Sequence, residues 1–181
     1  MIYVFLADGF EEIEALATVD YLRRCELDVV TVGIGSQEIC GAHNIYVLAD
    51  ISDLEISTEV DFNAIVLPGG MPGTLNLEKS KTVSEFIDKA VKENKLICAI
   101  CAAPSILGHK GLLENKRVTC FPGFESQLGN AVFTGNSAEI DGNIITGKGA
   151  GAVFDFAYLI GKELAGKQEA THVKESMQCP Q

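Results

Sequence analysis

The chain has 181 residues, 47 % of them hydrophobic, and a formal net charge of −11. That length and apolar content suit one ordered domain with a full core, spanning 1–181, rather than a disordered chain. The acidity argues against a surface built for nucleic acid or anionic membrane, because phosphate attraction requires a basic face.

The first apolar stretch, Ile2 to Ala7, is too short for a signal segment and lacks preceding basic residues. No apolar run is long enough to span a bilayer. Six cysteines in a chain of this size do not make a secreted disulfide scaffold, so a reducing cytoplasm is the expected setting.

Taken in order, Ile2–Ala7 reads as a buried strand that Asp8-Gly9 breaks. Glu11 to Arg24 follows as an amphipathic helix whose apolar stripe is approximated by Ile13, Leu16, Ala17 and Tyr21. Three acids, Glu11, Glu12 and Glu14, crowd its first turn; complementing the helix dipole is the sole task expected of two of the three. Asp28–Val32 is a second strand, and Asn44–Leu48 a short strand or hairpin arm near a sheet edge.

Phe62–Leu67 is the next buried strand, ended by Pro68-Gly-Gly70, where glycine permits close backbone approach. Ser80–Asn94 is a helix with Val83, Phe86, Ile87 and Val91 as its stripe. Leu96–Ile100 is again a buried strand, and Ser105–Gly111 completes a short helix. Val118–Phe121 and Ala131–Phe133 are short strand candidates. Ser137–Ile140 and Asn143–Thr146 form a hairpin turning at Asp141-Gly142. Gly147–Gly151 reads as a flexible loop, Ala152–Leu164 as an apolar helix, and the polar tail after Gly166 as partly helical.

Alternating strands and helices argue for an α/β fold with a mostly parallel sheet covered on both faces. In that architecture ligands bind outside the carboxyl ends of the strands. Asp8-Gly9, Pro68-Gly-Gly70 and Cys101 all fall at such ends.

Cys101 sits where the strand Leu96–Ile100 turns into a helix that begins near Pro104. Such a corner exposes the side chain and aims free helix N–H groups at it, which favours a thiolate and marks a candidate nucleophile. A buried, inert cysteine is the alternative. Cys98 and Cys101 form a C-x-x-C pair, but three strand residues advance roughly 10 Å and put the side chains on opposite faces. A disulfide tolerates Cα separations only to about 7 Å, so Cys98 is expected in the core rather than in a redox couple. With no histidine pair at ligand spacing, no metal site is expected.

Ala99-Ile-Cys-Ala-Ala-Pro104 resembles the nucleophile elbow of the ThiJ/PfpI superfamily. Three further stretches match in the same order: Gly9-Phe-Glu-Glu-Ile-Glu14, Val66-Leu-Pro-Gly-Gly70, and Thr146-Gly-Lys-Gly-Ala-Gly151 leading to Phe154-Asp-Phe156. The chain is most similar to the branch that holds bacterial YajL and the human parkinsonism-associated protein deglycase.

The resemblance implies a flavodoxin-like three-layer sandwich with helices on both faces, a homodimer, and catalysis without metal or organic cofactor. It assigns Cys101 as nucleophile, Glu14 as the acid beside its sulfur, and the N–H groups of Gly70 and Ala102 as oxyanion and substrate donors. A carboxyl beside a thiolate should have its pKa raised by burial and like charge, so it can hold a proton or pass it on.

Departures from the family pattern bear on activity. Ala102 stands where PfpI-type proteases place a histidine, and Phe121 where relatives of the human protein carry one. Gly149-Ala-Gly-Ala152 replaces a usual Gly-Pro-Gly-Thr, and His43 replaces an arginine near the interface. His109 and His172 have no evident path to Cys101.

The implied function is a glutathione-independent glyoxalase or protein deglycase, with glyoxal, methylglyoxal or a glycated protein as substrate and no nucleic acid or membrane partner. An oxidative-stress sensor or chaperone acting through Cys101 oxidation uses the same pair. A peptidase or amidase is less favoured because no histidine activates the thiol.

Overall fold

The computed structural model describes residues 1–179. In chain order the strands and helices are β1 (Ile2–Leu6), α1 (Glu12–Arg24), β2 (Val29–Gly33), β3 (Glu38–Cys40), β4 (Tyr46–Leu48), β5 (Ile51–Ser52) and β6 (Ala64–Leu67). They continue as α2 (Gly73–Lys79), α3 (Lys81–Lys92), β7 (Leu96–Ile100), α4 (Pro104–His109), β8 (Arg117–Val118) and β9 (Val132–Phe133). The last are β10 (Ala138–Asp141), β11 (Ile144–Gly147), α5 (Val153–Leu164) and α6 (Lys167–Ser176).

Seven strands form one sheet in the order β10-β11-β7-β6-β1-β2-β5. The contiguous strands β2, β1, β6, β7 and β11 pair in parallel, which is the 2-1-3-4-5 order of flavodoxin-like folds. Short β5 continues one edge in parallel, and β10 closes the other edge as an antiparallel hairpin arm. The α/β sandwich expected from the sequence is the fold observed.

Alternation along the central strands builds two cores. Ile2, Val4, Leu6, Val66, Cys98 and Ile100 face one side, where Tyr21 and Leu22 of α1 and Phe156 and Ile160 of α5 cover them. Tyr3, Phe5, Ile65, Leu67, Ile97 and Ala99 face the other side, against Val83, Phe86 and Ile87 of α3. There Phe86 makes edge-on contacts with Tyr3 and Phe5 at centroid distances of 5.6 and 5.3 Å. Such pairs add about 0.5–1.5 kcal/mol each beyond area burial.

Several local expectations are revised. In α1 the buried face is Glu12, Glu14, Ala15, Thr18, Val19, Tyr21 and Leu22, while Ile13 and Leu16 are exposed. The helix therefore lies rotated from the stripe its aliphatic residues suggested. In α3 the fourth buried position is Ala90 rather than Val91, and Ser80 caps the helix through Val83 N at 3.3 Å. The β10–β11 pairing joins Asp141 to Ile144, so the turn residues are Gly142 and Asn143, with Gly142 at φ 61°.

Gly147 belongs to β11, and Ala150–Ala152 forms a 3₁₀ turn where the sequence suggested an open loop. The tail after Gly166 forms α6 through Ser176, anchored where Tyr21 Oη donates to Ala170 O at 2.6 Å. Among the described residues no helix is long and apolar enough to cross a membrane.

Candidate functional site

The parallel strands β1, β6, β7 and β11 end at one edge of the sheet, at Ala7, Pro68, Cys101 and Lys148. Cys101 has φ 65°, the left-handed region that non-glycine residues seldom adopt. Its own N–H donates to Gly147 O at 2.9 Å, and its carbonyl accepts from Phe121 N at 2.8 Å. Those bonds hold the corner in that conformation, and Pro104 then opens α4. The left-handed residue also breaks strand alternation. Cys101 packs against the same core face as Cys98, not the opposite one as strand geometry alone predicts. Both nevertheless remain free thiols.

Glu14 enters from the first turn of α1 and is 1 % exposed. Its Oε2 accepts from Gly69 N at 2.9 Å. The other oxygen, Oε1, is buried with no hydrogen-bond partner among the described residues. Gly69 is the spacer between the two side chains: a Cβ there would lie 2.6 Å from Cβ of Cys101 and 2.7 Å from Oε2 of Glu14. Gly70 follows at φ 88°, a conformation glycine adopts without strain.

Burial pushes the Glu14 carboxyl up to about 7, and the nearby charge of Glu11 adds to the effect. The Cys101 thiol and the N–H groups of Gly69 and Ala150 act against it. Burial likewise pushes the Cys101 thiol up to about 12, followed by the charge on Glu14 and its contact with that carboxyl. The N–H groups of Gly70 and Ala102 pull the thiol pKa the other way. The thiolate favoured by the helix-end argument is therefore opposed by burial and by Glu14. Glu14 is the group that ionises first, with the proton of the thiol next to it.

The other acids of the first turn have separate tasks. Glu11 is the N-cap of α1, its Oε2 accepting from Glu14 N at 2.7 Å. Glu12 is buried, with one oxygen accepting from His43 N and the other paired with His43 Nδ1, both at 2.7 Å. Only Glu14 reaches Cys101. Sequence reasoning did not single out Gly69 or Glu11; a glycine between two converging side chains carries no local signal.

His109 pairs with Glu78 at 2.5 Å, and His172 lies exposed on α6. His43, which the family pattern puts near the interface, is tied within its own chain to Glu12. Glu11, Glu12 and His43 bring ligating atoms within 4.8 Å of one another, but Glu12 and Glu11 already use these oxygens as acceptors.

The chain matches the DJ-1/PfpI family over residues 1–163. It is 33 % identical over 177 residues to Protein dj-1beta of Drosophila melanogaster, covering 96 % of this chain and 94 % of that protein. It is 31 % identical over 161 residues to the glutathione-independent glyoxalase DJR-1.2 of Caenorhabditis elegans, covering 88 % and 85 % of the two chains. A mutant of a DJ-1 superfamily protein from Salmonella typhimurium superposes with a TM-score of 0.93 at 36 % identity, over 99 % of this chain and 98 % of that one.

Proposed function

This chain belongs to the DJ-1/PfpI family, and on that premise we propose that it converts reactive α-oxoaldehydes to 2-hydroxy acids without glutathione. The observation that carries the reading is the buried Glu14 carboxyl, pushed up to about 7, set against Cys101 with Oε1 unpaired. A group with that pKa both accepts and returns protons at neutral pH. The glyoxalase name of the Caenorhabditis elegans relative agrees with this chemistry.

In the proposed cycle Cys101 Sγ bonds to the aldehyde carbon while the thiol proton passes through Glu14 to the aldehyde oxygen. The product is a hemithioacetal, and Glu14 is again a carboxylate. Glu14 then takes the proton from that carbon and delivers it to the adjacent ketone carbon. The proton of the first oxygen moves to the ketone oxygen, leaving a thioester of a 2-hydroxy acid. Water cleaves the C–S bond and restores the thiol.

The aldehyde carbon is oxidised and the ketone carbon reduced, so the net reaction consumes only water. Gly70 and Ala102 N–H groups are the proposed donors to the oxygen that gains charge. Sugar-derived adducts on proteins, the deglycase substrate, present the same oxygen chemistry on a larger body.

The test is 2-hydroxy acid formation from methylglyoxal by the protein, Cys101→Ser and Glu14→Gln. Turnover in the wild type and loss of at least about 10²-fold in both variants is expected. Full activity in Cys101→Ser would overturn the mechanism.

A second reading, a sensor of oxidation at Cys101, draws on the same unpaired Oε1. Protonated Glu14 there could donate to a sulfinate oxygen formed by peroxide. Mass spectrometry after mild peroxide tests it. Sulfinate confined to Cys101 supports the sensor, and uniform oxidation of all cysteines rejects it.

We further propose that the working form is a homodimer. Ile13 (56 % exposed) and Leu16 (37 %) lie uncovered on α1, and Ile45, Tyr46 and Leu48 are exposed on the adjoining hairpin. That hairpin is tied to the start of α1 where Ala42 N donates to Phe10 O at 2.8 Å. Exposed apolar side chains gathered on one helix and the hairpin tied to it are the kind of surface that an interface covers.

A further inference from the structure

We propose, resting on the glyoxalase reading, that the apolar cleft beside Glu14 is a substituent subsite selecting α-oxoaldehydes with an aromatic group over methylglyoxal. The cleft measures about 500 Å³ and lies between Phe121 and Pro122 on one side and Gly149, Ala150 and Ala152 on the other. Small-molecule sites typically occupy about 300–1,000 Å³. Lys148 and Ser137 supply its polar rim.

Both walls are joined to the reactive corner. Phe121 N donates to Cys101 O at 2.8 Å, so the ring is carried by the residue bonded to the nucleophile's own peptide. On the opposite wall a Cβ at Gly149 would lie 3.2 Å from the Phe121 ring and 3.9 Å from Glu14 Oε1. Gly149 is thus next to both the Phe121 ring and the buried Glu14 carboxyl, and a side chain there would crowd the ring.

Phe121 is 47 % exposed, although it belongs to the residue class that gains most from burial. Ala150 and Ala152 are too small to cover it. Two other broad surface depressions carry charged side chains, Glu85 and Lys92 on α3 and Lys167 and Glu175 on α6. In this proposal the aldehyde sits at Cys101 and the group on the ketone carbon in this cleft, reached past Phe121, whose N–H is bonded to Cys101 O. A methyl group leaves it empty. A phenyl ring fills it and meets the Phe121 face.

The experiment compares kcat/KM for phenylglyoxal, giving mandelate, with that for methylglyoxal, giving lactate, in the wild type and in Phe121→Ala. Wild type is expected to favour phenylglyoxal, and Phe121→Ala to lower that ratio by about tenfold. Taking the ratio between proteins cancels the intrinsic difference in aldehyde reactivity. Turnover of methylglyoxal with a ratio unchanged in Phe121→Ala overturns the subsite while leaving the glyoxalase reading intact.

If neither aldehyde is turned over, the glyoxalase reading fails, and mandelate binding to Cys101→Ser, followed by NMR shifts, decides the cleft alone. Saturable shifts at residues 121 and 149–152, weakened at least tenfold when Phe121→Ala is added, support the subsite. Absence of such shifts overturns it.

Discussion

The peptide N–H of Gly69 donates to Oε2 of Glu14 at 2.9 Å, and this bond ties the end of β6 to the acid that faces Cys101. The same glycine leaves no room for a methyl group, since a Cβ would meet Glu14 Oε2 at 2.7 Å. Gly69→Ala should therefore displace Glu14 from Cys101. A displacement near 1 Å costs about 10²-fold in turnover, and overpacking a tight site costs about 1–3 kcal/mol. Steady-state kinetics and denaturant unfolding of Gly69→Ala check both effects. Retained activity would remove Gly69 from the site.

Glu14 gives stability a defined pH slope. Its folded pKa is raised from 4.5 to about 7, so the folded state favours the protonated acid. The associated stability is fully present below the unfolded value of 4.5 and is lost as pH rises through about 7. At about 1.36 kcal/mol per unit the loss amounts to at most about 3 kcal/mol. Glu14→Gln keeps an acceptor for Gly69 N–H and cannot ionise. Urea unfolding at pH 5 and pH 8 should show the wild type losing stability relative to Glu14→Gln at the higher pH.

Glu11 acts on Glu14 by two separable routes, a cap bond to its N–H and a charge near its carboxyl. Glu11→Ala loses both and should cost about 1 kcal/mol of stability. Glu11→Gln keeps an acceptor but removes the charge, which releases part of the upward push on Glu14. The pH midpoint of Glu14 itself, followed by the NMR shift of its carboxyl carbon, should move to lower pH in Glu11→Gln. An unmoved midpoint would leave Glu11 as a cap alone.

The Glu12–His43 pair should matter only within a pH window. Glu12 sits below its usual range although burial, the largest influence, pushes it up; the bonds and charge of His43 outweigh that. The bond to Glu12 and then its charge raise His43 above 6.5. The Glu12 contribution is lost as pH falls through its depressed value, and the His43 contribution as pH rises through its elevated one. His43→Ala should lower the melting temperature most near about pH 6 and least near about pH 9. A difference independent of pH would rule out the ion pair as its source.

For the proposed dimer, Ile13→Asp with Leu16→Asp places two charges on the exposed face of α1. Sedimentation should shift from dimer to monomer, while the circular dichroism of the fold is kept because neither side chain is in the core. A wild type that sediments as a monomer would reject the assembly.

Much of the fold was legible in local signals. The buried runs Ile2–Leu6, Ala64–Leu67 and Leu96–Ile100 lie on central strands with both faces covered, so they read as continuous apolar segments. Pro104 and the helical pattern after it marked the corner at Cys101. Short β3 and β5, the short helix α2 and the 3₁₀ turn at Ala150–Ala152 carry too few residues for a periodic signal.

The candidate site divides along the same physical line. Local patterns suffice to show that Cys101 ends a strand, that glycines follow β6, and that three acids open α1, because each depends on neighbours within a few residues. Tertiary structure decided which acid meets the thiol. Packing turned α1 so that Glu12 and Glu14 point inward while Ile13 and Leu16 remain outside, against the rule that aliphatic residues face the core. The spacing of a helix orders its faces, but only the surfaces packed against it select the face that is buried. Here His43 and Gly69, distant in sequence, receive the two buried carboxylates.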